Sequence, residues 1–201
     1  MFQFGKILVS RIFTSFGTAA IAANAITTAI SSLFFMPGQA FGLAILTIIG
    51  QCIGAGDYQG AKQYTVKILK LCYIVLIAMT ALILLFADPL LGLFHLSAEA
   101  QVLAKSYILV YSIAAPIFWP LGFTLPNALR AAGDARYCMA VSIITMWTVR
   151  VSAAYLIAYP LGIGSAGAWI AMGLDFVARA GFYTTRWVRG KWMEKRVISE
   201  G

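Results

Sequence analysis

The stretch LFFMPGQAFGLAILTIIGQCIGAGDYQGAK, residues 33 to 62, constrains the fold of this chain more than any other. The apolar run that contains it begins before Ala22 and continues to Ile53 without a charged residue, then stops at Gly54-Ala55-Gly56-Asp57. As a single helix, residues 19 to 54 would extend roughly 54 Å, against a bilayer hydrocarbon core of about 30 Å. Such a segment either projects from the membrane into water or bends at Pro37-Gly38. Pro37 lacks a backbone donor and crowds the preceding turn, so a kink is expected there. A chain built on this element works in a membrane.

Composition supports that reading. The 201 residues are 61% hydrophobic and 11% charged, whereas soluble domains are about a quarter charged. The polar groups present are too few to cover a soluble surface. The formal charge of +8 fits loops facing anionic lipid better than it fits nucleic acid, which is not expected as a partner. The opening MFQFGKILVSRIF lacks a short apolar core followed by a small-residue cleavage site and does not read as a signal peptide. Cys52, Cys72 and Cys138 are scattered in apolar runs without a CxxC pair or a histidine cluster. They read as small buried hydrophobes, and no metal or redox cofactor is expected.

The chain divides into about six helical segments, an all-α integral membrane bundle. Residues 1–16, broken by Lys6 and Arg11, cover roughly 24 Å and read as the second half of a helix. Spans are expected at about 19–54, 64–87, 101–128, 137–159 and 166–187, with a basic tail over 188–201. Thr28, Ser31 and Ser32 fall at i, i+3 and i+4 and predict a polar stripe facing a neighbouring helix or a wet cavity. Lys62, Lys67 and Lys70 can snorkel at the start of the third segment. Asp88-Pro89 ends that segment, and His95 follows in a connection where a solvated loop residue is the expectation. Pro116, Pro120 and Pro126 puncture the fourth span and predict a bend or local unwinding. Trp187 and Trp192, in a basic aromatic tail, are expected as interfacial anchors.

The turns near residues 57 and 133 and the tail share one side if every segment crosses. They carry Lys62, Lys67, Lys70, Arg130, Arg136, Arg186, Arg189, Lys191, Lys195 and Arg196, while only Lys105 lies near the opposite turns. The bias places the basic side, C-terminus included, in the cytoplasm.

Few ionisable groups fall at membrane depth: Arg11, Arg150, Asp175 and Arg179. Counted from a hairpin centre between Gly162 and Ile163, Arg150 and Asp175 lie equally far along opposite arms. Arg179 follows Asp175 by four residues on the same helical face. An unpaired charge at mid-membrane costs about 2.5–3.5 kcal/mol even on the lenient insertion scale, so a buried Arg150–Asp175–Arg179 cluster is expected. It reads first as a structural clamp. Proton or ion coupling is the alternative, disfavoured because one aspartate between two arginines releases protons poorly. Asn24, Gln39 and Asn127 are the neutral polar groups best placed to meet a ligand or a neighbouring helix, joined by Thr28 and Ser31, and Trp119 beside Pro120 is a candidate cavity wall. The sequence contains no G-x-S-x-G, P-loop or H-E-x-x-H and no paired catalytic carboxylates, so an enzyme is not expected.

Three segments together resemble the MATE multidrug and toxic compound extrusion transporters. FGTAAIAANAITTAISSLFFMPGQAFGLAILTIIGQCIGAGDYQGAKQY is similar to the seventh-to-eighth helix region of that family and the loop after it. PLGFTLPNALRAAGDARY resembles the tenth helix and its cytoplasmic loop, and MWTVRVSAAYLIAYPLGIGSAGAWIAMGLDFVARAGFYTTRWVRGKW resembles helices eleven and twelve. The likeness covers nearly the whole chain.

The resemblance implies a twelve-helix inner- or plasma-membrane antiporter of two six-helix lobes, exporting cationic or amphipathic organic compounds in exchange for Na⁺ or H⁺. This chain corresponds to the C-terminal lobe with its first helix shortened, and the absent N-terminal lobe is its expected partner. Some members hold the coupling cation with acids on the seventh and tenth helices. The matching positions here fall near Phe2 or Gln3 and near Trp119, none of them acidic. No residue of this chain is thereby assigned to the ion, and coupling is expected to rest on the other lobe. Two rival readings use the same helices: a non-transporting membrane scaffold, and a flippase of lipid-linked precursors.

Overall fold

The computed structural model describes residues 2–190 and 192–193, and among these there is helix and turn but no strand. Lys191, Lys195 and Arg196 of the basic tail lie outside the described residues, as do the side chains of Phe2, Gln3 and Lys6. Helix α1 (Phe2–Ser15) leads into α2 (Thr18–Gly54), α3 (Tyr58–Leu85) and the short α4 (Ala87–Gly92). Helix α5 (Ala98–Trp119) passes through a π turn (Pro120–Thr124) into α6 (Leu125–Ala131). Helix α7 (Ala135–Thr145) likewise passes through a second π turn (Met146–Val151) into α8 (Ser152–Ala158), and α9 (Ala166–Val188) closes the bundle.

Four stretches are long and apolar enough to cross a membrane: Thr18–Gly54, Tyr58–Leu85, Ala98–Ala131 and Ala135–Ala158. Helix α9 has the length, about 34 Å for 23 residues, but carries Asp175 and Arg179, both buried inside the bundle. Leu33, Met36, Ile74, Ile77, Leu109 and Ile113 are exposed. Outward-facing aliphatic surface of this kind is at home in lipid. Helix-to-helix attraction therefore rests on close packing and hydrogen bonding rather than on removing apolar surface from water.

Two turns use the same three residues. Ala55-Gly56-Asp57 and Ala132-Gly133-Asp134 each end a helix with glycine at positive φ, 75° and 83°. The Asp57 N–H then returns to the Cys52 carbonyl at 2.8 Å, and the Asp134 N–H to the Leu129 carbonyl at 2.9 Å. These bonds satisfy carbonyls that a helix end leaves free. The aspartates then diverge. Asp57 caps α3, accepting from the Gly60 N–H at 2.8 Å, whereas buried Asp134 accepts from Arg186 Nε at 2.7 Å and ties the turn to α9.

Helix α2 runs unbroken through Pro37, and α5 through Pro116. The change of winding comes at Pro120, which opens the first π turn. In the turn before it, the Ile117 carbonyl accepts from the Tyr73 hydroxyl of α3 at 2.9 Å, the kind of side-chain partner that lets a proline persist in a membrane helix. Tyr73→Phe is expected to lower stability by about 1 kcal/mol without altering the fold, readable as a shifted midpoint in denaturant titration of the detergent-solubilised protein.

One aromatic expectation is corrected. Trp192 does not anchor at the interface with its ring outward. It is fully buried, stacked on Trp187 with ring centres 4.3 Å apart, and beside Tyr58. Its indole N–H donates to the Trp187 carbonyl at 3.1 Å, so the hairpin after α9 folds back onto the bundle.

Candidate functional site

A cavity of about 730 Å³ opens where α1, α2, the α5–α6 segment and α9 meet. Asn24, Thr28, Ser31, Gln39, Trp119 and Asn127, from helices distant in sequence, all line it. The positions of α2 on its wall (24, 28, 31, 35, 38, 39, 42 and 43) follow the helical period of one face. Ser32 is not on that wall. Its hydroxyl donates to the Ala29 carbonyl at 2.6 Å, so the polar stripe runs Asn24–Thr28–Ser31 instead of through Ser31 and Ser32.

Two glycines bring the facing segments onto α2. A methyl group on Gly38 would collide with the Trp119 ring, and one on Gly42 would come within 2.6 Å of Asn127 Nδ2. Gly38 and Gly42 lie one turn apart, the small-xxx-small spacing that allows backbones to approach in lipid. Asn127 is held by donating to the Phe123 carbonyl at 3.1 Å and by accepting from Arg130 Nη1 at 2.9 Å.

The rest of the wall is aromatic. Trp119 stacks on Phe123 with centres 5.3 Å apart, Phe35 lies 5.6 Å from Trp119, and Phe123 meets Phe176 edge-on at 5.2 Å. Trp169 adds a further indole. A cavity of this size, largely aromatic with a few fixed polar groups, is suited to the flat apolar body of an organic molecule. Trp169 and Phe176 were not singled out by their sequence, because an aromatic residue on an apolar helix reads equally well as core.

The charged cluster forms in part. Arg179 Nε donates to Asp175 Oδ1 at 2.9 Å, with 3% and 0% of the side chains exposed. Arg179 also donates to the Ser142 carbonyl at 3.1 Å and lies over the Phe123 ring. Arg150 does not join them: no ion pair within 4.0 Å links it to Asp175 among the described residues. It lines the cavity instead, its Nε buried without a hydrogen-bond partner. The second π turn explains the difference. Equal counting along two arms assumes regular helices, and the wider turn over Met146–Val151 shifts Arg150 in height and angle. Among the described residues no acid lines the cavity, and no group of three metal-ligating side chains forms.

Known proteins are similar to this chain in sequence and in fold. A probable multidrug resistance protein NorM of Thermotoga maritima is 26% identical over 99% of this chain. An uncharacterized transporter of Bacillus subtilis, YisQ, is 27% identical over 96% of it. The outward-facing conformation of a multidrug resistance MATE family transporter superposes with a TM-score of 0.85 at 18% identity, covering 96% of this chain. This chain spans under half of each, 43%, 42% and 44% respectively. The MatE family profile matches residues 1–156. With four helical stretches long and apolar enough to cross a membrane among the described residues, this chain is a multi-pass membrane protein belonging to the MatE family.

Proposed function

We propose that the chain is one lobe of a secondary transporter that exports amphipathic organic compounds, organic cations among them, in exchange for Na⁺ or H⁺. The observation that carries this reading is the open cavity of about 730 Å³, walled by aromatics and by Asn24, Gln39 and Asn127, on a chain under half the length of its transporter relatives. A single lobe offers one wall of a cleft. Transport requires a second wall from an N-terminal lobe or, failing that, a second copy of this chain. Because this wall holds arginines and no acid among the described residues, both the charge of a cationic substrate and the coupling ion fall to the other lobe. The lysine and arginine bias puts the residue 57 and 133 turns and the C-terminus on the cytoplasmic side of the inner or plasma membrane.

The test is dye accumulation in cells lacking their own efflux pumps and expressing the chain with an N-terminal six-helix lobe. Lower ethidium accumulation that depends on an imposed Na⁺ or H⁺ gradient is expected. Unchanged accumulation under both gradients, with the protein confirmed in the membrane, defeats the reading and leaves the scaffold.

A further inference from the structure

We propose that Arg150 forms an acid-recognition subsite in the cavity, taking the carboxylate, sulfonate or phosphate of an amphipathic organic anion whose apolar body lies on Trp119 and Phe123. The inference rests on reading the cavity as a compound-binding wall, and it adds the charge of what binds.

The charges around Arg150 do not balance. Arg150, Asp175 and Arg179 interact electrostatically, and together carry two positive charges against one negative. The one carboxylate gives Oδ1 to Arg179 at 2.9 Å, while its Oδ2 is buried without a hydrogen-bond partner. Arg150 is left with a buried Nε that has no partner. Arg130, the other charge on the wall, donates to a neutral amide, Asn127 Oδ1. A cluster with one positive charge in excess beside a largely apolar cavity is costly unless an anion completes it. The planar fork of Arg150 matches a carboxylate or phosphate in bidentate fashion. The aromatic side chains that line the same cavity supply stacking area for the remainder of the ligand.

The experiment uses the 201-residue chain in phosphatidylcholine nanodiscs and two probes of the same shape, anthracene-9-carboxylate and anthracen-9-ylmethylammonium. Energy transfer from the cavity tryptophans Trp119 and Trp169 to the anthracene reports binding. The wild-type chain is expected to bind the carboxylate at least about tenfold more tightly than the ammonium, the size of one charge-assisted hydrogen bond. Arg150→Gln should remove that preference. Arg150→Lys keeps the charge and should retain the direction of the preference; it also serves if the glutamine variant does not fold, since a reversed preference in Arg150→Lys would count against the subsite.

Equal or tighter binding of the ammonium by the wild-type chain overturns the proposal, as does an unchanged preference in folded Arg150→Gln. A repeat in nanodiscs containing phosphatidylglycerol separates two sources of the anion. Competition that Arg150→Gln abolishes assigns a lipid headgroup, and no competition assigns a free amphipathic acid. The binding assay needs no transport. Acid-selective binding without efflux removes the transporter reading and keeps the subsite, whereas efflux without acid selectivity does the reverse.

Discussion

Replacing Asp175 with asparagine is expected to cost about 3–5 kcal/mol, a large share of the 5–15 kcal/mol that holds a typical domain together. The substitution leaves the buried Arg179 guanidinium without its carboxylate and Arg150 without the acid whose charge it shares. Poor membrane yield and a sharply lowered unfolding midpoint in detergent are the expected readouts. A second change separates a lost attraction from a stranded charge. Asp175→Asn combined with Arg179→Met should recover part of the loss, because an apolar replacement removes the charge along with the need for its partner. The deficit that remains belongs to Arg150. If Asp175→Asn alone shifts stability by less than about 1 kcal/mol, the carboxylate is not what holds Arg179 in place to reach the Ser142 carbonyl across the bundle.

The second large effect lies on the opposite wall. Gly38→Val is expected to destabilise by about 1–3 kcal/mol and to abolish anthracene-9-carboxylate binding. Its side chain would occupy the place of the Trp119 ring. That ring has little room to retreat, being 4% exposed and packed between Phe35 and Phe123. Trp119→Leu in the same chain should restore much of the stability but not the binding, since it relieves the overlap by removing the stacking surface. Additive losses in the two variants would show that the residues do not press on each other.

The membrane bundle was readable because the bilayer enforces a coarse rule: long uncharged runs separated by short polar turns. The repeated Ala-Gly-Asp turn is equally visible, since glycine at positive φ followed by aspartate is local chemistry. The neutral polar residues on the cavity wall were legible for a related reason. Asn24, Thr28, Ser31, Gln39 and Asn127 are hydrogen-bonding side chains in lipid-depth helices, where each needs a partner or a wet surface. Register beyond a helical turn was not legible. Ser32 lies one residue from the cavity stripe and bonds to its own helix, and serine at i or i+1 carries no mark of which applies. Arg150 shows the same limit over a longer distance, because nothing in MWTVRV announces a π turn. Trp192 departs for a third reason: a basic aromatic tail has the composition of an interfacial anchor, yet a glycine turn at Gly190, φ 69°, folds it back onto Trp187.

If this cavity is the compound-bearing wall of a two-lobe transporter, access to it must alternate between the two sides of the membrane. Gln39 is exposed on that wall, and a cysteine there tests the claim most directly. Cys52, Cys72 and Cys138 are first replaced by alanine, and Gln39→Cys is expressed together with the N-terminal lobe. A membrane-impermeant maleimide is then applied to right-side-out and inside-out vesicles under imposed Na⁺ or H⁺ gradients. The cysteine is expected to react from one face at a time, the reactive face to change with the gradient, and anthracene-9-carboxylate to slow the reaction. Labelling that is indifferent to gradient and to the bound acid would contradict it.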